Sequence, residues 1–146
     1  LEQCAAQGRK AAVALVSIDN GQKLRDTYGQ PVMDQLHCFV GNQWKKHFDT
    51  PTEQVVCRLT GSIFVVGSVD TTGPQLAARM QELYEQMPHE CITTTGMMHR
   101  VQFTMSGAAA GLDEVEAKNW PALYELCDAR LRKVQASGGD RIGCAE

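Results

Sequence analysis

One short stretch of this sequence gathers side chains of the types that bind metals. His89, Glu90, Cys91 and His99 lie close together in the chain, and their side chains are of the kinds that bind divalent metals. They fall on either side of a turn and a possible short strand, and their spacing matches no known ligand pattern. We therefore favour a solvated loop here and expect no metal.

The thiols are the second set of reactive groups. The chain has six cysteines, with no CxxC pair and no zinc-type spacing. A disulfide framework is not expected in a domain large enough to have its own core. We expect reduced and mostly buried thiols, because most lie in apolar stretches, and no cofactor. The cysteines are Cys4, Cys38, Cys57, Cys91, Cys127 and Cys144.

Strand-type and helix-type segments alternate in the first half of the chain. Residues 11–18 form a continuous apolar run, which predicts a strand buried on both faces. Residues 23–28 predict a short turn or helix. Apolar steps of three and four predict an amphipathic helix over residues 32–48. Two β-rich segments, residues 54–59 and 63–69, predict a hairpin that turns at Thr60-Gly61-Ser62.

The second half begins with another helix face, formed by Leu76, Met80, Leu83, Tyr84 and Met87. Beyond it the patterns predict a short strand over residues 91–95, a longer strand over 101–110, a polar loop over 111–117, a helix over 120–134 and an edge strand from 141.

This order predicts an α+β protein with a ferredoxin-like βαββαβ core, a central antiparallel sheet and an additional C-terminal helix and strand. Nucleotide cyclases and polymerases have a palm of this kind, but the fold alone does not define a function. A length of 146 residues suits one domain over residues 1–146. Because the chain starts at Leu1, we expect a piece of a longer protein.

Four segments, taken in order, resemble the GGDEF family of diguanylate cyclases. The family pattern D-x-D-x-F-K-x-x-N-D-x-x-G-H-x-x-G-D is similar to residues 17–34, and the hairpin R-x-G-G-D/E-E-F is similar to residues 58–64. The strand T-x-S-x-G-x-A resembles residues 104–110. The closing pattern A-D-x-A-L-Y-x-A-K-x-x-G-x-N-x-V resembles residues 127–142. Together these segments cover nearly the whole chain, although the family's opening D-x-L-T-G-L-x-N-R is absent.

The resemblance also implies that the metal ligands are lost. The family holds divalent metal with the first acid of D-x-D and an acid in the hairpin, and these positions are Ser17 and Ser62 here. A neutral hydroxyl is a much poorer Mg²⁺ ligand than a carboxylate. The adjacent acid is replaced by Ile63, which cannot act as a base. The degenerate positions are Ser17, Thr60, Gly61, Ser62, Ile63 and Phe64, of which Gly61 and Phe64 keep the family residue.

By the same comparison, the residues that recognise the nucleotide are only partly retained. Arg25 stands where the family reads the guanine edge with Asn, and it offers only donors. Asp34 keeps the family's acid. The phosphate-binding Lys and Arg correspond to Gln135 and Gly139, so the cationic clamp is gone.

Two acids leave alternatives open. Asp19 and Asp34 are either remnants of a nucleotide site or simple structural residues, with Asp19 capping a turn and Asp34 in the first turn of a helix. The structural alternative is preferred.

The family's inhibitory R-x-x-D site corresponds to Pro51-Thr52-Glu53-Gln54, which has neither the Arg nor the Asp. Feedback binding of cyclic-di-GMP there is not expected.

The resemblance therefore implies a catalytically inactive domain that regulates, dimerises or binds a protein partner in bacterial cyclic-di-GMP signalling. An EAL domain is the expected neighbour, and biofilm and motility are the processes that such proteins control. The alternative is a GTP-sensing module that controls the EAL neighbour without hydrolysing the nucleotide.

Composition excludes other function classes. A net charge of −3 gives no broad basic field for nucleic acid or an anionic membrane. The longest apolar run is too short to span a bilayer, and no signal-peptide pattern opens the chain. We expect a cytoplasmic domain, which is compatible with a parent protein attached to the inner membrane.

Overall fold

The computed structural model describes residues 10–48, 54–60, 63–93, 99–116 and 119–143. None of the helices in these ranges combines the length and hydrophobicity needed to cross a membrane. The strands are β1 (Ala11–Ile18), β2 (Gln54–Thr60), β3 (Ile63–Val69), β4 (Glu90–Thr93), β5 (His99–Gln102), β6 (Met105–Gly111) and β7 (Arg141–Gly143), and the helices are α1 (Gly21–Tyr28), α2 (Gln30–His47), α3 (Gly73–Gln86) and α4 (Trp120–Ala136), with a 3₁₀ turn at Leu112–Glu114.

β1 is the central strand of a five-stranded sheet with the order β2-β3-β1-β6-β7. It pairs antiparallel with β3 and β6, and β7 pairs parallel with β6 at the edge. The predicted α+β class, its βαββαβ core and the additional C-terminal helix and strand are confirmed.

Helices cover both faces of this sheet, which explains the continuous apolar run of β1. Successive side chains of a strand point to opposite faces. Ala12, Ala14 and Val16 join the core that includes α2 and α3. Val13 and Leu15 join the core under α4. Trp44 of α2 is fully buried, whereas Trp120, at the start of α4, is 37% exposed and not a core residue.

The predicted strand over residues 101–110 is wrong as a single element, because it is broken at Phe103 and Thr104. β5 pairs with β4 in a separate two-stranded sheet, while β6 joins the main sheet. At the break the backbone changes partners: the Phe103 N–H donates to the His89 carbonyl at 3.0 Å, and the Thr104 carbonyl accepts from the Asp19 N–H at 2.9 Å. The predicted loop at 111–117 is also too long, because β6 reaches Gly111 and the 3₁₀ turn follows.

The thiols are less buried than predicted. Cys91 and Cys127 are buried, but Cys38 and Cys57 are exposed, and these four are free thiols. Cys4 and Cys144 lie outside the described residues. Cys57 lies on β2, at the edge of the five-stranded sheet.

Candidate functional site

The ends of three strands meet where the family resemblance expects the metal. Ser17, near the end of β1, lies opposite Ile63 of β3 on one side and Ser106 of β6 on the other. Thr60, the last residue of β2, pairs with Ile63 across the hairpin. This row of the sheet therefore carries hydroxyl and aliphatic groups and no carboxylate at the described positions. Gly61 and Ser62 lie outside the described residues.

Phe64 holds the hairpin strand against α2. Its ring lies edge-on to His37 with 6.3 Å between ring centroids. A Cβ on Gly41 would come within 3.3 Å of the Phe64 Cε1 atom, so the glycine allows the ring to approach the helix closely. Both contacts fix β3 relative to α2, the helix that carries Asp34.

Asp19 adjoins this row, and its carboxylate accepts hydrogen bonds from the protein itself. Oδ2 accepts from the Thr104 hydroxyl at 2.7 Å and from the Asp140 N–H at 3.0 Å, and Oδ1 accepts a short bond from the Ser106 hydroxyl. The expectation that Asp19 caps a turn is wrong, since its bonds join the end of β1 to β6 and to the turn before β7.

The turn before β7 fits closely against this carboxylate. Gly139 has φ +70°, and a Cβ there would lie 2.7 Å from the Ser106 Oγ and 2.8 Å from the Asp19 Oδ2. Asp140 follows with φ +57°, in the left-handed region that aspartate tolerates better than most residues. Only glycine fits position 139 without displacing the hydrogen-bonded side chains.

Tyr84 of α3 extends this network into the core. Its hydroxyl donates a short bond to the Asp140 carboxylate and accepts from the Met105 N–H at 2.8 Å. Burial, followed by the hydrogen bond to Asp140, raises the pKa of the Tyr84 hydroxyl above its ordinary range. Its ring stacks on His89 with 4.4 Å between centroids, and His89 Nε2 lies 2.7 Å from the Tyr84 carbonyl oxygen. The expectation of a solvated loop is therefore wrong for His89, which is half-buried.

A polar cleft of about 230 Å³ brings together the two phosphate positions named by the resemblance, Gln135 and Gly139. Asp19, Asn20 and Thr104 complete much of its wall. None of its described lining residues is cationic. A triphosphate there would meet the Asp19 carboxylate with no cation among these described residues to offset its charge.

The two residues expected at the guanine edge are linked through a third. The Arg25 Nε–H donates to the Gln30 side chain at 2.9 Å, and Gln30 donates to the Asp34 Oδ1 at 2.8 Å. Asp34 is exposed and lies in the second turn of α2, so its predicted place in the first turn is wrong. Sequence reasoning did not single out Gln30, although its step of four residues to Asp34 on one helix was a usable signal.

His37 is a further residue of this region that the sequence patterns did not reveal. It lies on α2, one turn after Asp34, and is buried. Burial lowers the pKa of the His37 imidazole, and the positive charges of Arg58 and Arg25 lower it further. The side chain is therefore neutral at physiological pH.

No group of three or more His, Cys, Asp or Glu side chains in the described ranges could hold a metal. Residues 51–53 of the expected inhibitory site lie outside those ranges, and of Gln54 only the backbone assignment to β2 is described.

The family model "Diguanylate cyclase, GGDEF domain" matches residues 1–141 of the chain. No functionally curated protein matches the sequence.

Solved GGDEF domains have the same fold at low sequence identity. The domain of DgcB from Caulobacter crescentus, determined in complex with c-di-GMP, is 17% identical with a TM-score of 0.82, and the match covers 97% of this chain and 81% of that one. The domain of PA1120 (YfiN or TpbB) from Pseudomonas aeruginosa is 16% identical with a TM-score of 0.84, and the match covers 99% of this chain and 88% of that one. The FimX GGDEF domain from the same organism is 20% identical with a TM-score of 0.83, and the match covers 97% of this chain and 85% of that one.

Proposed function

The chain belongs to the GGDEF family of diguanylate cyclase domains, and from this premise we propose that it is a catalytically inactive member that regulates or binds a protein partner in cyclic-di-GMP signalling. One observation supports this proposal most strongly. The strand-end row has Ser17 at the position of a family metal ligand, and Ile63 opposite it replaces the adjacent acid. Mg²⁺ binds carboxylate oxygens far better than it binds neutral hydroxyls.

Asp19 is a poor substitute for the missing ligand. To bind a metal, its carboxylate would have to give up hydrogen bonds to Thr104, Ser106 or the Asp140 backbone. Those bonds also hold the β7 turn in place, so metal binding would disturb the fold locally.

A cyclase assay tests the loss of activity directly. The domain is incubated with GTP and either Mg²⁺ or Mn²⁺, and the products are separated by chromatography, with an active GGDEF domain run in parallel. We expect no cyclic-di-GMP from this chain and steady production from the control. Steady turnover by this chain would refute the proposal.

GTP sensing without turnover is the alternative, and Asp34 is its main support. Against it, Gln30 links Asp34 to Arg25, and the phosphate cleft has no cation among its described lining residues. Titration calorimetry with GTP and Mg²⁺ separates the two functions. We expect no heat of binding at high micromolar GTP. Saturable heat that is lost in the Asp34→Asn variant would favour the sensor.

The partner that we propose is another protein or a neighbouring domain of EAL type, and a homodimer is a further possibility to test. A solved relative from Caulobacter crescentus contains a coiled coil together with its GGDEF domain, which supports a multidomain setting. The domain is expected to act in the cytoplasm. Analytical ultracentrifugation of this chain alone and with an EAL domain should show association; sedimentation as unmixed monomers would count against this part of the proposal.

A further inference from the structure

An open cleft of about 240 Å³ lies between helix α2 and the edge of the sheet. Its wall is formed by residues of α2, β2 and β3. Arg25 and Asp34, the expected guanine-reading residues, are not among the residues that line it.

Helical spacing explains which residues of α2 line the cleft. Along α2, Gly41 and Asn42 lie three and four residues after Cys38, and Lys45 lies four and three residues after them, so these residues share one face. Gly41 lacks a side chain, and the edge of the buried Phe64 ring occupies the space beside it, 3.3 Å from where a Cβ would lie.

The sheet side follows from strand alternation. Val56 and Arg58 are two residues apart on β2, so both side chains point to the same face of the sheet. Arg58 pairs with Phe64 across the hairpin, and Val56 and Phe64 both pack with the core on the α2 side. The floor of the cleft is thus apolar, formed by the half-buried Val56 with the buried Phe64 ring beneath it, and Arg58 lies at its rim.

The charges at the rim are positive. Lys45 and Arg58 both line the cleft and are exposed, and neither has an ion-pair or hydrogen-bond partner within the described residues. The positive charge of Arg58 also acts on His37, whose pKa it helps to lower after burial. Two cations that lack a partner among the described residues, beside an apolar floor, form an attractive site for an anion with an apolar body.

We propose that this cleft binds a small molecule that carries a carboxylate or phosphate group on a planar apolar body. The ring of such a molecule would lie over Val56 and Phe64, and its anionic group would be held between Lys45 and Arg58. Asn42 would add a hydrogen bond from its amide. The site does not depend on whether the domain has lost cyclase activity, so either proposal can fail without the other.

Phenyl phosphate is a suitable probe because it has both parts of the proposed ligand. Binding is measured by titration calorimetry at low ionic strength, with benzoate as the carboxylate counterpart. Inorganic phosphate carries only the charge, and benzyl alcohol carries only the ring. We expect phenyl phosphate or benzoate to bind at least about tenfold more tightly than either fragment, since each group contributes separately.

Lys45→Glu and Arg58→Glu should each weaken binding by about tenfold or more, because a charge-assisted contact is replaced by repulsion. Lys46→Glu is the matched control: it changes the net charge equally, but Lys46 is exposed on α2 and does not line the cleft. We expect less than about a twofold change for this control. Equal losses in Lys45→Glu and Lys46→Glu, or no saturable binding of either anion, would overturn the proposal.

A second measurement reports on the same site without a substitution. A bound anion beside Arg58 should raise the pKa of His37 towards its ordinary value of 6.5, as followed by NMR titration of the imidazole protons. The imidazole of His89, which does not line the cleft, is the internal control. An unchanged His37 titration at saturating phenyl phosphate would contradict binding in this cleft.

Discussion

Asp19 shows how one carboxylate can hold together three segments of the chain. Its partners Thr104, Ser106 and the Asp140 backbone lie 85, 87 and 121 residues away in sequence. Hydrogen bonds to a charged acceptor are stronger than those between neutral groups. The carboxylate therefore contributes to stability at the point where nucleotide chemistry would be expected.

Replacing Asp19 by Asn tests this role. Asn keeps one acceptor oxygen and adds two donors beside the Thr104 and Ser106 hydroxyls, so we expect a loss of about 1–3 kcal/mol in the free energy of unfolding. Asp26→Asn is the control, because Asp26 is exposed and, among the described residues, accepts from Gln22 alone, at 2.9 Å; it should cost about 0.5 kcal/mol or less. Equal effects in urea denaturation would contradict the structural role of Asp19.

Tyr84 should make stability depend on alkaline pH. Its hydroxyl is stabilised in the neutral form, so its contribution is full below the ordinary pKa of 10.0 and is lost as pH rises through the higher pKa of the folded state. Tyr84→Phe should lower the free energy of unfolding by about 1–3 kcal/mol at neutral pH, because the buried Met105 N–H loses its acceptor.

The difference between wild type and Tyr84→Phe should shrink above pH 10.0 in urea denaturation. Tyr124→Phe is the control, because Tyr124 is only half-buried and no hydrogen bond of its hydroxyl is found within the described part of the chain. A pH-independent difference between wild type and Tyr84→Phe would rule out this linkage.

Residue patterns located some site positions but not their contacts. Gln135 and Gly139, which the family resemblance named as the former phosphate-binding positions, line one cleft with Asp19. The resemblance did not reveal the link through Gln30, or the bonds of Asp19 to Thr104 and Ser106, because side-chain hydrogen bonds depend on how distant segments pack. A single sequence carries little information about such pairs.

At the scale of elements, apolar periodicity predicted the long helices and the central strand well. It failed at Phe103–Thr104, where one predicted strand is two. Val101, Phe103 and Met105 are all buried, so their alternation continues through the break. What changes there is the partner of the backbone, and side-chain periodicity does not report it.

An ion pair attaches α4 to the end of β6. Arg130 binds both carboxylate oxygens of Glu114 at 2.8 and 3.2 Å and donates to the Ala109 carbonyl at 2.9 Å. Glu114 also accepts from the Gly111 N–H at 2.7 Å. These bonds, chiefly those from Arg130, lower the pKa of the Glu114 carboxyl.

Glu114→Gln should lower the free energy of unfolding by about 1–2 kcal/mol at neutral pH. Because the pKa of Glu114 is depressed, the stabilisation is present above its ordinary value of 4.5 and is lost as pH falls through the lower pKa of the folded state. The variant should therefore approach wild type in acid.

Asp128→Asn is the matched control for this pair. Asp128 pairs with Arg132 one helical turn away, and the Arg132 side chain is 78% exposed. Such surface pairs contribute about 0.5 kcal/mol or less. If urea denaturation gave equal losses for the Glu114 and Asp128 variants, α4 would not depend on the Arg130–Glu114 pair.

For the whole molecule, the layer arrangement was predictable because burial on both faces left a strong apolar signal in β1. The edges were harder to predict. β7 has three residues, and the β4–β5 hairpin forms a sheet of its own. Short elements of this kind have too few residues for a clear period.

This architecture predicts an order of local opening. Backbone amides of β1 and its neighbours β3 and β6 should exchange with deuterium most slowly, because they lie at the centre of the main sheet. Amides of β7 and the β4–β5 hairpin should exchange first. Mass spectrometry of short peptides can resolve these strands, and equal protection of hairpin and central strands would contradict the order.

The Asp19 network also bears on which positions can change over evolutionary time. The end of the sheet is held in shape by the protein's own hydrogen bonds, so this shape does not require a bound nucleotide or ion. Ser17 lies beside the network and has no side-chain hydrogen bond to another described residue. Mutations at such a position alter the surface while leaving its support intact. A site supported in this way tolerates substitutions, and protein engineers could introduce new functional side chains there without redesigning the fold.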